Sequence, residues 1–467
     1  LETFKPESLT NFYHTWYRPD LQALIVVGDI DPDYVEAKIK EIFSDIPAPT
    51  DPKSKDVIMI PGNQEPVIGI VSDPEAVNST YEVYWKNEAM PEEFNNTVLG
   101  KVSDILKSLI SSIMDERFSD ISAKADAPFI HAGFGIGNLC ETMEVSMGNI
   151  SAHENDPVGA FKAFYTEIKK MEKYGFSSDE ISRAKEDLLS YYESAAKKAS
   201  TRQNSELVQP LIDNFFDNYA YMEPEQEYEL TKQLMSMLPD QAINQTVAQI
   251  IPDSNMVVVF KGPEKEGYTL PTAEDIRKAI DEVNGAEIKP NESEVIATEF
   301  LDPSKLKGSA VKSSADGLYG SKVLTLKNGM KVILRPSDDE KDHIAFQLYK
   351  NGGFSMVPTE DLDSFDSNVW GAFQSFCGIS KFSGTTVGKM LSGKNVSVSP
   401  FINALRHGVN GNCTPKDLET ALQLTYLYFA DPRFDQSEYD QGIKQLKAIL
   451  PNYVLRPDYK FSQVLNG

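Results

Sequence analysis

Pro19-Asp20-Leu21-Gln22-Ala23-Leu24-Ile25-Val26-Val27 decides the fold of this chain, because its pattern occurs twice. A Pro-Asp pair, two residues and five apolar residues recur at Pro252–Phe260, 233 residues later. A second ungapped match joins Asp156-Pro157, Phe176, Glu180 and Leu188 to Thr414-Pro415, Phe434, Glu438 and Leu446, at an offset of 258. Periods this long exceed those of solenoid repeats and point to a large domain present in several copies. The two offsets together place residues 1–48 as the tail of one copy. Residues 63–285 are then a complete copy, 286–320 a connection, and 321–467 the first part of another.

Working outward from Pro19, Ser8 to Tyr17 has helical spacing, and Leu24–Val27 is expected to be a short buried strand closed by Gly28-Asp29. Asp31-Pro32 supplies an N-cap and a first-turn proline, so Pro32–Phe43 is expected to be an amphipathic helix. The spacing predicts strands at Val67–Val71, Tyr81–Lys86 and Leu139–Ser151, and a long helix over Glu92–Phe118. Further helices are expected from Asp156-Pro157, from Ser178, over Asn204–Tyr219, Pro224–Met237 and Thr272–Val283, with a strand at Met256–Phe260. Gly285–Gly320 has the composition of an inter-domain tether. Beyond it, Asn328-Gly329 between Lys322–Leu326 and Met330–Leu334 is a strong hairpin signal. His343–Lys350 and Asn395–Pro400 are expected strands; Ser364–Phe376, Pro415–Phe429 and Gln436–Leu450 are expected helices. The fold class is therefore α+β, with repeated core domains, an antiparallel-rich sheet packed with helices, and two halves joined by a linker.

The chain has 467 residues, 41% of them hydrophobic, enough for several cores. Its formal charge of -25 repels phosphate backbones and anionic surfaces, which argues against nucleic acid as a partner. No run approaches the roughly 18 apolar residues of a membrane span. Cys140, Cys377 and Cys413 lie far apart without CxxC spacing, so neither a disulfide framework nor a cysteine zinc site is expected.

The order Leu1-Glu2-x-Phe4, Leu9, Phe12-Tyr13, Trp16-Tyr17-x-Pro19 and Leu24 to Gly28-Asp29 resembles the end of a core domain in the pitrilysin/insulinase family of zinc metallopeptidases. Leu326-x-Asn328-Gly329-Met330-Lys331-Val332, Asn351-Gly352-Gly353 and Gly378-Ile379 to Gly393 resemble the opening of that family's third domain. The resemblance implies four homologous α+β domains in two halves, enclosing a chamber that admits peptides or unfolded proteins. It also implies zinc in the full-length parent, held by an inverted H-x-x-E-H motif on a helix of the first domain. The five histidines, His14, His131, His153, His343 and His407, include no pair within one helical turn. No zinc, catalytic or metal-ligating residue is therefore expected in this segment, and its substrate-binding residues are unassigned. The equivalent helices at Glu92–Leu109 and around Ser364–Trp370 carry no histidine.

Two functions follow from the resemblance. In the first, the segment forms chamber wall and substrate scaffold of a zinc metalloendopeptidase and is inactive alone. In the second, it belongs to a non-catalytic partner subunit of the same fold that binds or presents peptide. Assembly as a homo- or heterodimer and a periplasmic or cell-envelope location are compatible with either; a general peptide-binding module is a weaker third reading.

Other groups have plainer readings. His153-Glu154 is half a metal site at most, since a metal needs three or four converging ligands. His131-Ala132-Gly133-x-Gly135-x-Gly137 neither follows a clear strand nor opens a helix, so a glycine-rich turn or a strand close to another backbone is expected rather than a phosphate loop. Asp361, Asp363 and Asp366 lack the glycine and terminal Glu of a calcium loop and read as solvated helix-start acids. Asn78-Ser79-Thr80 and Asn395-Val396-Ser397 match the sugar-acceptor pattern at a frequency chance supplies.

Overall fold

The computed structural model describes residues 3–466 apart from 75, 77, 293, 365–377 and 455–456. Its central element is a five-stranded sheet, order β1-β5-β2-β4-β3. The strands are β1 (Val67–Asp73), β2 (Ser79–Glu88), β3 (Phe129–Cys140), β4 (Met143–Ala152) and β5 (Met256–Pro263). All neighbours are antiparallel except β1 and β5, which run parallel. The helices of this part are α3 (Val98–Ser122), α4 (Pro157–Tyr174), α5 (Ser178–Lys198), α6 (Asn204–Asp217), α7 (Pro224–Met237), α8 (Asp240–Ile250) and α9 (Ala273–Asn284). Tyr81, Val83, Phe134, Ile150, Val258 and Phe260 on the sheet meet Ile110, Met114 and Phe118 of α3, Phe161 and Phe164 of α4, and Ile276 and Ile280 of α9 in one continuous core. Phe118 stacks on Phe164 with ring centroids 5.0 Å apart, which adds directional packing to the buried area.

Helix ends follow the caps written in the chain. Thr97 accepts from Gly100 N–H, so α3 starts at Val98 rather than at Glu92, where the spacing placed it; Glu92–Phe94 is a separate 3-10 turn. Ser177 and Glu180 form a reciprocal capping box at the start of α5. Gly175 after α4 has φ +67°, and a Cβ there would lie 2.4 Å from Asn244 Oδ1. The expected strand over Leu139–Ser151 divides into the end of β3, a turn and β4.

At the amino-terminal end, α1 (Pro6–Trp16) and α2 (Pro32–Phe43) form where expected, with Asp31 capping α2 through Asp33 and Tyr34 N–H. Neither helix has a buried residue. Leu24–Val27 forms no ladder among the described residues, against expectation. Its repeat, β5, lies between β1 and β2 with Met256, Val258 and Phe260 buried. The same apolar pattern is a strand only where partners satisfy its backbone groups.

The second half repeats part of the first. Strands β9 (Ile344–Asn351), β10 (Val396–Ile402) and β11 (Arg406–Cys413) form a sheet in the order β10-β11-β9. This matches β3-β4-β2, with α11 (Leu418–Ala430) and α12 (Gln436–Tyr453) in the places of α4 and α5. Glu180 and Glu438, paired by the 258 offset, each accept from an arginine, Arg117 and Arg433 respectively. A short helix α10 (Gly384–Met390) precedes β10, and α13 (Pro457–Asn466) follows α12. The expected helix over Ser364–Phe376, with Asp366, lies beyond Ser364 outside the described residues.

The hairpin at Asn328-Gly329 is present as β7 (Lys322–Leu326) and β8 (Lys331–Leu334), with Gly329 at φ +91°. The preceding tether is more ordered than its composition suggests. Val311–Asp316 is a strand, β6, paired with β7. Upstream, Phe300 is buried against Ile379, Phe382, Met390, Leu424 and Leu427 in a second, smaller core. Asn291 Nδ2 donates to Glu167 Oε2 at 3.1 Å, so the connection is pinned to both halves.

Candidate functional site

The long helix α3 is fixed on the sheet by its apolar face, and its opposite face carries Asp115, Ser119 and Ser122 at i, i+4 and i+7. These face β3, the edge strand of the sheet, which bears the glycine-rich run His131–Gly137. The run is a strand, in keeping with one of the two expectations for it. Phe134 N–H donates to Asp115 Oδ1 at 3.1 Å, so it points away from β4. Antiparallel alternation then turns the N–H and C=O groups of Ala132, Phe134 and Ile136 outward, while Gly133, Gly135 and Gly137 bond to β4. On the exposed face, Gly133 pairs with Asn149 and Gly135 with Met147. A Cβ on Gly135 or Gly137 would meet nothing within 4 Å. The result is a groove along the edge strand, with the Phe134 amide already taken by Asp115, lined by Asp115, Ser119, His131, Gly135, Met147 and Asn149.

The groove runs into a cavity of about 550 Å³ at the junction of the halves. Ser119, Ser122 and His131 line both. The far wall comes from α10 and α12 through Ser383, Thr385, Lys389, Glu438 and Gln441. Lys389 Nζ lies 2.6 Å from Asp120 and 2.9 Å from Glu294, tying α10, α3 and the connection together. Burial pushes the Asp120 carboxyl up, and Lys389 opposes that shift. The halves also meet where Asn395 Nδ2 donates to Ser190 Oγ at 2.8 Å and Gly393 N–H donates to Asp187 at 2.6 Å. The side-chain amide of Asn395, which opens the sugar-acceptor match Asn395-Val396-Ser397, is thus engaged at this junction.

The histidines stay apart. His14 lies on α1, His343 Nδ1 is 2.8 Å from Glu340, and His407 Nδ1 is 3.5 Å from Gly352 O. His153 is buried, whereas Glu154 pairs with Lys265 at 2.5 Å, so the two residues do not share a site. Among the described residues no group of three His, Cys, Asp or Glu side chains could hold a metal ion. The helix equated by resemblance with the zinc helix, α3, instead carries Lys101. Its ammonium is buried and bound by Glu227 Oε1 at 2.5 Å and Tyr192 Oη at 3.1 Å. A fixed internal cation on that turn does not fit a zinc ion, and no chemical step is derived through one here.

Residues 3–188 match the family model described as Peptidase M16 inactive domain. This match and the relatives below make the chain similar to the M16 peptidases, the family of pitrilysin. It is 23% identical over 436 residues to "Zinc protease PQQL-like" of Arabidopsis thaliana, covering 92% of this chain and 39% of that protein. It is 21% identical to "Probable zinc protease PqqL" of Escherichia coli K12, covering 90% of this chain and 47% of that protein. The M16 fold is shared with the periplasmic protease PqqL of Escherichia coli at TM-score 0.54 and 18% identity, over 99% of this chain and 50% of that one. A ferredoxin protease FusC mutant in complex with Arabidopsis ferredoxin superposes at TM-score 0.59 and 16% identity, over 98% of this chain and 51% of its own. The chain therefore spans about half or less of the length of these proteins. No helix among the described residues is long and apolar enough to cross a membrane.

The groove was legible only in part. Its glycines stood out, but Asp115, Ser119 and Gln441 carry no local signal. They become neighbours of β3 only once α3 and α12 pack, as Gln441 Nε2 does at Ser122 O, 3.4 Å away.

Proposed function

We propose that this chain is the non-catalytic wall and peptide-binding scaffold of an M16 zinc metallopeptidase, with the outer edge of β3 as its docking strand. The observation that carries this reading is the edge position of β3, with the outward backbone groups of Ile136 beside an open glycine face at Gly135 and Gly137. Such an edge binds an extended peptide by adding it as a further strand, which reads main chain rather than sequence and suits unfolded substrates. A protein partner is in keeping with the FusC complex with ferredoxin, and a periplasmic setting with the Escherichia coli PqqL protease.

The layout goes with it: residues 1–48 close a first core domain, 63–285 form a second, 286–320 link the halves, and 321–467 open a third. The solvent-exposed apolar side chains of α1, α2 and Leu24–Val26 support this, since they have no core of their own. On this reading zinc and the hydrolytic groups belong to the parent's first domain. A partner subunit without hydrolytic activity is the second reading, favoured by the inactive-domain match; H-x-x-E-H ahead of Leu1 in the natural protein would rule it out.

Two measurements test the proposal. Zinc added to the 467-residue chain gives no peptide hydrolysis; turnover abolished by a chelator overturns it. A proline-free ten-residue peptide binds, and N-methylation of alternate residues, which removes the ladder donors, weakens it at least tenfold. Equal binding of the methylated peptide excludes strand addition.

A further inference from the structure

Resting on the reading of β3 as a docking strand, we propose that the bound peptide runs on from that edge into the junction cavity. There a main-chain N–H is donated to Gln441 Oε1, about three residues from a basic side chain held by Asp115.

Gln441 supplies the first observation. It is only 3% exposed, it lines the cavity, and its Nε2 is engaged by the Ser122 carbonyl. Its Oε1 is buried and has no hydrogen-bond partner among the described residues. A buried acceptor left without a donor is costly, so a donor arriving in the cavity is favoured there.

Charge supplies the second. The cavity carboxylates are already matched, Glu116 by Arg183 at 2.5 Å, Asp120 by Lys389, and Glu438 by Arg433. Asp115 forms no ion pair among the described residues, and its one hydrogen bond comes from Phe134 N–H. Burial raises its carboxyl, the Phe134 amide and His131 opposing, so a cation beside it improves its environment. The net charge of -25 adds a long-range pull on basic peptides.

Spacing supplies the third. Asp115 and Ser122 are seven residues apart on one helix, roughly 10 Å along its axis. Gln441 sits at the Ser122 end. An extended strand advances about 3.3 Å per residue, so roughly three peptide residues cover that interval.

The test uses the whole chain and labelled ten-residue peptides containing one lysine, read by fluorescence anisotropy. Replacing the lysine by alanine is expected to weaken binding about fivefold in the wild type and not at all in Asp115→Asn, which still accepts from Phe134 N–H. In a scan of single N-methyl groups, the position about three residues from the lysine is expected to cost about tenfold in the wild type and little in Gln441→Leu. Binding that ignores both the lysine and the methyl position in the wild type overturns this inference and leaves the docking strand standing, and that series needs no variant to fold. Failure of every peptide to bind overturns both.

Discussion

His153, 8% exposed, has a buried Nε2 without a partner among the described residues. Burial lowers its imidazole below the ordinary 6.5, Lys444 adds to the shift, and a backbone hydrogen bond with Ala127 opposes it. The unfolded chain therefore takes up a proton at higher pH than the folded one. Stability from the neutral ring is complete above about pH 6.5 and drains away as pH falls toward the lower folded value. The expected outcome is a melting temperature that drops more steeply between pH 7 and 5.5 in the wild type than in His153→Gln. Parallel curves would show that the ring is not linked to folding.

At the scale of elements, the junction of α3 and α5 rests on Arg117. Its Nε lies 2.6 Å from Glu180 Oε1, a second nitrogen lies 3.1 Å from the Gly175 carbonyl, and the guanidinium sits 4.8 Å over the Phe176 ring. Burial raises the Glu180 carboxyl, but Arg117 and Ser177 outweigh it and hold the group below its ordinary value. Removing one partner of such a pair leaves a charge stranded. Arg117→Met is expected to cost roughly 3 kcal/mol and Ser177→Ala about 1 kcal/mol in urea denaturation. A cost below about 0.5 kcal/mol for both would mean that the pair and its cap are not holding the helices.

Helices were legible where an Asp-Pro pair spelled out the cap, as at Asp31-Pro32 and Asp156-Pro157, and the Asn328-Gly329 hairpin was legible from its turn; the Ser383 cap of α10 was not read. Strands β3 and β11 were obscured by glycines, which carry little strand propensity and are placed by their neighbours. Strand β6 was hidden by its polar Ser313-Ser314. Leu24–Val27 erred the other way, because its apolar pattern finds no strand to pair with among the described residues.

For the whole molecule, a compact monomer of 52.0 kDa is expected to expose about 17,500 Å². This chain exposes 29018 Å². On the proposed layout the excess includes apolar surface on residues 1–48 such as Leu9, Phe12, Leu24 and Ile42, each more than half exposed. Deleting residues 1–48 is expected to shift the melting temperature by no more than about 2 °C and to reduce self-association in sedimentation. A large fall in melting temperature would mean that these residues stabilise the cores after all.

The strap between the halves also sets a limit on travel. Asn291 is held by Glu167 of the first half at one end, and Phe300 is wedged among Ile379, Phe382 and Leu424 of the second half at the other. Nine peptide steps stretch to roughly 30 Å at full extension. On the proposed layout, any gape that carries those two anchors beyond this span must first pull the phenylalanine out of its socket or break the asparagine contact, whereas a single unfolded strand can enter with both anchors in place.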